Sequence, residues 1–535
     1  MTGATPALRS NMKLGQLRSV HPSYDADTWV RYEALYRGGK DFRAHVTKFL
    51  QKNLAEPDDR FLRRVQEASY RSYVGPIVDY FASQLMAAPL TIRCCDEQGD
   101  EVEAVEDFYT EFKEDADGQG TDLVDLARTV FRSCLIKGSA WVMATLPNRA
   151  DVVSKADWEA QGLGHARIAK VESDNIIDWE YGDDGDLAWV LTYDESKPRG
   201  SLIESRSKVR GTWRLYDREN VETFRLTWTP GTDYIDENTE VPSVGVEPHN
   251  FPRVPFVRVE LPRGLWLMNR VAEAQVAHFR LTAGLLWAIN QTCYAMPIFK
   301  MAGGAAGPGP TMGTGYAMVI GQQDDLMWAA PPSAPFSVIA DEAKAQKDEI
   351  YRVAQQMAQG VDNNAAAIGR SAQSKHADTS STEICLVAYG AVVREALEKV
   401  YDLIAEGRGD ALKFRVGGLD RFNLTDPTSA VENAISAKEL DVPSLTFKKE
   451  LMMHTTEALM PSLSQDKKDA IRKEVETGVE KQEREAEEAK KKMAESLAAG
   501  SQQPNEAPQK GQPTATLAKP GIPQPKTKEL VNGAH

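Results

Sequence analysis

A polar segment in the second half of the chain carries three potentially cationic side chains. Residues 361–380 are rich in Ala, Ser and Asn, and they hold Arg370, Lys375 and His376 without a matching run of acids. Basic side chains in a solvated loop can contact the phosphate oxygens of any base sequence. A loop whose basic residues contact only water or a neighbouring subunit explains the same pattern equally well.

A second set of charged residues lies on a long helical segment. From Leu267 onward about 25 residues lack Pro, which predicts a helix about 37 Å long. Glu273 and Arg280 fall with Arg270 on one stripe of this helix, while apolar residues spread around much of the remainder. We therefore expect the helix to pack on more than one side.

Motifs that bind nucleotides or metals are missing from the sequence. No Gly-rich turn ends in Gly-Lys-Ser or Gly-Lys-Thr, so a phosphate-binding loop is not predicted. The Gly-rich stretch from Gly303 to Gly315 lacks Lys and sits between strand-like pieces, which favours a flexible hairpin or loop. The eight His residues show no HExxH pattern, and Cys94 and Cys95 have no companion pair. We expect neither a metal nor a cofactor.

Catalytic residues are not indicated either. The acidic turn YGDDGD at residues 181–186 lacks the ligand spacing and closing Glu of an EF-hand, so a solvated β-turn is expected. No Gly-x-Ser-x-Gly elbow is present. Four tryptophans in strand-like runs are expected in the core rather than as base-stacking platforms. They are Trp179, Trp189, Trp213 and Trp228. The sequence thus predicts a protein that is not an enzyme, with an unrecognised hydrolase kept as an alternative.

Length and composition limit the classes of protein to which the chain can belong. A chain of 535 residues with 42% hydrophobic and 26% charged residues predicts two or more folded units of ordinary globular composition. The formal net charge of -15 argues against a protein that coats DNA, so any DNA must be contacted lightly. Neither a membrane span nor an export signal is expected, and five scattered cysteines suit a reducing cytosol.

Hydrophobic periodicity divides the chain into helical and β-rich parts. The sequence is mainly helical to about residue 150, and short runs separated by Gly, Asp and Pro predict an antiparallel β region at 167–260. A small β excursion follows the long helix, and a second helix is expected to begin at Asp341. Ser380 with Glu383 forms a capping box that predicts the start of a third helix.

This order of elements and several local motifs resemble the portal proteins of tailed bacteriophages. The opening HPSYDADTWVRYEALYRGGKDFR, residues 21–43, is similar to the start of those proteins, where His-Pro-x-Tyr precedes a Trp and a basic segment. Residues 60–92 and 125–147 resemble their next helix and their helix-Gly-strand step, and KVESDNIIDWEY at 170–181 resembles their Asn-Ile-Ile-x-Trp strand. Residues 369–409 match most tellingly, because a polar loop before a long helix is where the family places its channel-lining loop.

The resemblance implies an α+β fold, predominantly α-helical, of the portal type, in which subunits form a ring. The divisions implied are a wing at 1–266, a first stem helix at 267–293, a clip at 294–339, a second stem helix at 340–360, a tunnel loop at 361–380, a long wing helix and β piece at 381–427 and a helical crown at 428–499. The resemblance does not explain the extension from Gly478, and the abundance of Pro, Gln, Ala and Lys at 500–535 predicts a disordered tail there.

The resemblance also implies a function, namely a ring of commonly twelve subunits at one capsid vertex, through which double-stranded DNA is packaged and ejected. The implied partners are other copies of the chain, the terminase large subunit, the major capsid protein and a head–tail adaptor. Arg370, Lys375 and His376 would lie nearest the DNA, and Glu273 and Arg280 would face the channel or pair across subunits. We expect the protein in the virion, after assembly in the cytoplasm of the bacterial host. The alternative is another phage head or scaffold protein without a DNA channel.

Overall fold

The chain folds as two units, residues 1–426 and 427–535. The computed structural model describes residues 11–88, 90–96, 107–147, 165–196, 208–292, 296–300, 325–329, 334–358, 372–420 and 444–459, with further positions at 102 and 422 and short helical pieces between 470 and 492. Both helices and strands are present, which confirms the predicted α+β class.

Within the described stretches, seven helices lie before the β-rich part. They are α1 (Leu14–Leu17), α2 (Ala26–Arg37), α3 (Gly39–Phe49), α4 (Asp58–Glu67), α5 (Val74–Ala87), α6 (Asp107–Glu114) and α7 (Leu123–Lys137). The carboxylate of Asp25 accepts a hydrogen bond from the Thr28 N–H at 3.1 Å and caps α2. Gly138 caps the C-terminus of α7, and its φ of 84° is a left-handed conformation that favours a residue without a Cβ.

Antiparallel sheets follow α7 and confirm the predicted β region. Strands β3 (Ser139–Thr145), β4 (Arg167–Val171) and β11 (Phe256–Glu260) form a three-stranded sheet in the order β11-β3-β4. A five-stranded sheet contains β5 (Ile176–Tyr181), β6 (Leu187–Ser196), β7 (Val209–Tyr216), β8 (Asn220–Trp228) and β10 (Ser243–Pro248), in the order β10-β8-β7-β6-β5. The short strands β1 (Met12–Lys13) and β9 (Glu240–Val241) pair with each other. Trp179 and Trp213 are buried, as predicted, and Trp189 packs partly buried against the Trp213 cluster.

The long helix predicted from Leu267 is present as α8 (Leu267–Thr292). Strands β12 (Met296–Lys300) and β13 (Asp325–Ala329) pair antiparallel where the β excursion was predicted, and α9 (Ala334–Ala358) follows. The paired strands join the end of α8 to the start of α9, so the two helices run antiparallel. Helix α9 begins earlier than the predicted Asp341, because Pro335 in the first helical turn has no N–H to lose there.

The third long helix is α10 (Ala372–Arg408), followed by β14 (Lys413–Gly418). Strand β14 pairs antiparallel with β2 (Leu90–Cys95), which closes the chain back onto its N-terminal part. The predicted start of this helix at Ser380 was wrong, because the helix begins at Ala372. The second half of the predicted loop at 361–380 is therefore helical. The capping-box pattern lies inside the helix, because adding turns to an existing helix costs less than starting a new one.

The second unit contains α11 (Leu445–Leu459) and a further helical piece at residues 470–475. Both lie in the region for which helices were predicted, 428–499. The segment at 500–535 lies outside the described residues. Three of the cysteines, Cys94, Cys95 and Cys134, are buried, and Cys385 is partly exposed.

Candidate functional site on the long helices

Helices α8 and α9 are both long and pack against each other in the first unit. With 26 and 25 residues, they are about 39 Å and about 37 Å long. The first half of α8 is buried against α2, α5 and α7 through an apolar face that includes Val271, Val276 and Phe279. Ile350 and Ala354 of α9 are buried in the same core. Helix α8 is therefore part of the body of the subunit for half of its length.

A buried glutamine fixes α8 to the segment before α5. Gln275 is fully buried, its side-chain oxygen accepts a hydrogen bond from the Tyr73 N–H at 2.9 Å, and its amide donates to the Arg71 carbonyl at 3.1 Å. Both polar atoms are satisfied, as a buried amide requires. These bonds set the rotation of α8 and so decide which of its faces points outward.

A basic and aromatic contact lies where α8 meets α9. The ring of Tyr73 is in edge contact with His278 at 5.0 Å between centroids, and the Lys347 ammonium lies 5.7 Å from the centre of the Tyr73 ring. Burial lowers the pKa of His278 below the usual value for histidine, and the charges of Lys347 and Arg71 lower it further. The imidazole is therefore neutral at pH 7, which avoids a third positive charge in this contact.

The two charged residues predicted to matter on α8 both contact the N-terminal helices of their own chain. Arg280 donates from Nε to the carbonyl oxygen of Phe49 at 2.8 Å. The Glu273 carboxylate is 3.9 Å from the Arg31 guanidinium, and its side chain is 80% exposed. Most of the Glu273 side chain is thus accessible to water or to another chain, whereas the Nε of Arg280 is already bonded to Phe49.

The outer face of α9 is exposed along most of its length. Positions spaced by three and four residues, which share one side of a helix, are all exposed. They are Ala334, Val338, Asp341, Ala345, Asp348 and Arg352. Val338 keeps 67% of its surface accessible, which is high for a large aliphatic side chain. Nothing in the first unit covers this face among the residues that the structure describes.

The basic residues of the predicted loop are only partly located. Arg370 lies outside the described residues. Lys375 and His376 lie in the first two turns of α10, where the backbone is helical, and their side chains lie outside the described part. Their contact with DNA stays a prediction.

A buried ion pair at the end of α10 was missed from the sequence. The side chains of Arg408 and Asp410 are both 2% exposed, with Arg408 Nε 2.8 Å from Asp410 Oδ2. The Tyr109 hydroxyl donates to the same carboxylate at 2.7 Å, and the Arg408 guanidinium lies 3.9 Å from the centre of the Phe108 ring. Burial and the bond to Asp410 raise the pKa of Tyr109, which keeps its proton.

A second buried cation, Lys137, joins α7 to the strands. Its ammonium is 2.9 Å from both Glu172 and Asp174, and Lys170 is 2.6 Å from Glu172. Burial alone would raise the pKa of Glu172, yet the hydrogen bond from Lys170 and the charge of Lys137 outweigh it and lower that pKa to about 2. The cluster is balanced in charge, which suits a structural role.

The acidic turn at 181–186 forms a surface connection between β5 and β6. Asp184 accepts from Arg218 at 2.5 Å and from the Asp186 N–H at 3.2 Å, and Gly185 has a φ of 83°. This agrees with the predicted β-turn. Among the described residues, His, Cys, Asp and Glu do not assemble into groups of three or more that suit a metal ion. Within those same stretches no helix has the length and apolar character needed to cross a membrane.

Comparison of the sequence with protein-family models gives no match, and comparison with curated proteins gives none. The fold and the exposed long helices are therefore the observations from which a function can be argued.

Proposed function

We propose that this chain is the portal subunit of a tailed bacteriophage, a non-enzymatic protein that forms a ring at one capsid vertex. The observation that carries the proposal is the exposed outer face of α9, from Ala334 to Arg352, on an antiparallel pair of long helices. In the proposed ring a neighbouring copy would contact the small and apolar residues of this face, Ala334, Val338 and Ala345, and pair with its charged residues, Asp341, Asp348 and Arg352.

The order of elements supports the same proposal. A body of helices and antiparallel sheets precedes α8, a β pair separates α8 from α9, and the 37-residue α10 follows. This matches the resemblance to portal proteins, in which wing, stem, clip, stem and a long wing helix occur in that order. In this proposal α8 and α9 are the stem, β12 and β13 belong to the clip, and α11 belongs to the crown.

The charge of the chain is compatible with a conduit for DNA. A net charge of -15 disfavours tight binding to a polyanion, which a moving DNA must avoid. Arg370, Lys375 and His376 would supply brief phosphate contacts near the channel. Glu273 remains a candidate for a channel or subunit contact because it is largely exposed.

The proposed partners follow from the ring. Further copies of the chain, commonly twelve, would enclose the double-stranded DNA. The terminase large subunit would dock on the clip, 294–339, and supply the ATP-driven movement. The major capsid protein would surround the ring in the virion, and a head–tail adaptor would bind after packaging. Assembly would take place in the cytoplasm of the bacterial host.

Electron microscopy of the purified chain, with the mass of the intact assembly measured in parallel, tests the proposal. Closed rings with a central hole are expected. Shells or filaments would favour another phage head or scaffold protein, and a compact monomer with a cation-dependent activity would favour a hydrolase. Either result would overturn the portal assignment.

The predicted DNA contact needs a separate test in the phage that encodes the chain. Arg370→Glu with Lys375→Glu should leave ring assembly intact and reduce the amount of DNA packaged. The matched control is Lys344→Glu, which reverses one exposed charge on α9. Unchanged packaging in the double variant would contradict DNA contact at these residues.

A further inference from the structure

Two basic side chains lie at the junction of α8, α9 and the segment just before α5, and neither has an acidic partner among the described residues. Lys347 is half-buried on α9, and Arg71 is exposed before α5. Cations of α3, α4 and the loop between them, in contrast, pair with carboxylates of their own chain. These pairs are Lys48 with Asp27, Lys52 with Asp58 and Arg64 with Glu56. The charges of Lys347 and Arg71 are therefore available to an anion from outside the chain.

His278 supplies a third basic group at the same junction. Its side chain is only 7% exposed, and its ring nitrogens have no hydrogen-bond partner within the described stretches. The charges that act on its imidazole are those of Lys347 and Arg71, both positive. Buried polar groups almost always have a partner, so an imidazole without one marks a position where a partner can bind.

Gln275 fixes the backbone on which these groups are carried. It lies one turn before His278 on the same face of α8, where its side chain bonds to the Tyr73 N–H and the Arg71 carbonyl. On α9, the Lys347 ammonium lies 5.7 Å from the centre of the Tyr73 ring, which also contacts His278. Three different segments thus each bring one basic group to this junction, and their backbones are held in place before any ligand binds, which lowers the entropy cost of binding.

We propose that Arg71, Lys347 and His278 bind one phosphate group. Guanidinium and ammonium groups are common partners of phosphate oxygens in proteins, and an imidazole N–H can donate a further hydrogen bond. A phosphate dianion balances two permanent positive charges, whereas a single carboxylate would leave one of them unpaired. All three residues belong to the first unit of one chain, so the site does not depend on the proposed ring.

Binding should be coupled to the uptake of a proton by His278. Without an anion, burial and the two neighbouring positive charges hold the pKa of His278 below its usual value. A bound dianion opposes both effects and raises that pKa, so the complex holds a proton that the free chain lacks. The affinity should therefore rise as the pH falls from about 7.5 to about 6. The other groups that face the imidazole, Arg71, Tyr73 and Lys347, are residue types that do not titrate in this range.

Isothermal titration calorimetry of the full chain with inorganic phosphate, at constant ionic strength, tests the site. One phosphate per chain is expected. Lys347→Gln and Arg71→Gln should each weaken binding about tenfold or more, and both should keep the circular dichroism spectrum because neither side chain is buried. The matched control is Lys208→Gln, an exposed lysine just before β7, which should bind like the wild-type chain. Absence of saturable binding by the wild-type chain, or equal binding by all three variants, would overturn the proposal.

The role of His278 is tested with sulfate, which keeps two negative charges in this pH range, whereas phosphate itself takes up a proton. The wild-type chain should bind sulfate about threefold or more tightly at about pH 6 than at about pH 7.5. His278→Phe keeps an aromatic ring against Tyr73 and has no nitrogen to titrate, so its affinity should not change with pH. The same pH dependence in both chains would contradict proton uptake by His278.

The bound phosphate group can belong to a free phosphomonoester or to the backbone of DNA. Adenosine monophosphate and a short DNA duplex, each titrated separately against the phosphate-loaded chain, distinguish the two sources. Displacement by the mononucleotide alone identifies a free phosphomonoester as the ligand, and displacement by the duplex identifies the DNA backbone. Displacement by neither would contradict a phosphate ester as the ligand.

Discussion

Gly390 in α10 lies directly against the backbone of Leu419. A Cβ at position 390 would overlap the Leu419 carbonyl oxygen. Leu419 itself has a φ of 54°, a left-handed conformation that is unusual for a residue with a branched side chain. The helix and the segment after β14 therefore meet at a distance that only glycine permits.

Replacing this glycine should separate the two segments. Gly390→Ala is expected to lower the free energy of unfolding by about 3 kcal/mol, because backbone must move to admit the methyl group. Urea denaturation followed by circular dichroism measures the loss. Gly284→Ala is the control in α8, where nothing lies within 4 Å of the added Cβ, and it should stabilise by about 0.5–1 kcal/mol. Equal effects of the two substitutions would contradict the close approach.

The buried amide of Gln275 should be essential for stability. Gln275→Leu removes the hydrogen-bond partner of the Tyr73 N–H and of the Arg71 carbonyl and covers both with an apolar side chain, which is expected to cost about 2–4 kcal/mol. Gln346→Leu is the matched control, because the Gln346 amide donates to the exposed Glu342 carboxylate on the same helix and its loss should change stability by less than about 0.5 kcal/mol. Thermal unfolding of the two variants, measured side by side, should show the larger loss of stability for Gln275→Leu, and equal losses would contradict this role of Gln275.

The ion pair at the end of α10 should respond unequally to two changes. Asp410→Ala leaves the buried Arg408 charge without this partner and is expected to cost about 3–5 kcal/mol. Tyr109→Phe removes one hydrogen bond to the same carboxylate and is expected to cost about 1 kcal/mol. Urea denaturation should rank the variants in that order, and the reverse order would show that the ion pair is not the main contribution.

Acid should weaken the Lys137 cluster through Glu172. The pKa of Glu172 in the folded chain, about 2, lies below the ordinary value for a glutamate. The ionised carboxylate therefore stabilises the fold at a pH above that ordinary pKa. This contribution is lost as the pH falls from about 4.5 towards about 2. The midpoint of thermal unfolding should therefore fall with pH more steeply in the wild-type chain than in Glu172→Gln. Parallel pH profiles would rule out this role for Glu172.

The elements of the fold were largely readable from the sequence because their signals are local. The absence of Pro after Leu267 predicted α8 to within a residue at each end. The starts of α9 and α10 were misplaced at Asp341 and Ser380. Both are residue types that commonly cap helices, but here each lies inside one. Local capping signals identify a possible start, and tertiary packing decides whether an earlier one is used.

The contacts that fix the long helices were not readable, because they join residues far apart in the chain. Tyr109 and Asp410 are 301 positions apart, and Tyr73 and Gln275 are 202 apart. A mid-helix glycine such as Gly390 signals a close neighbour but does not identify it. Nothing near Arg280 in the sequence predicted that its Nε donates to the carbonyl oxygen of Phe49, 231 positions away.

The length of α10 has a mechanical consequence. Its second half is held where the Tyr389 hydroxyl donates to the Leu265 carbonyl at 2.7 Å and where Gly390 meets Leu419. Ala372 lies 18 residues before Gly390, about 27 Å along the helix axis. A load applied near Ala372 therefore passes along the helix to its buried side chains, Thr382 and Leu386 first, and the β14–β2 ladder beside the helix resists its displacement.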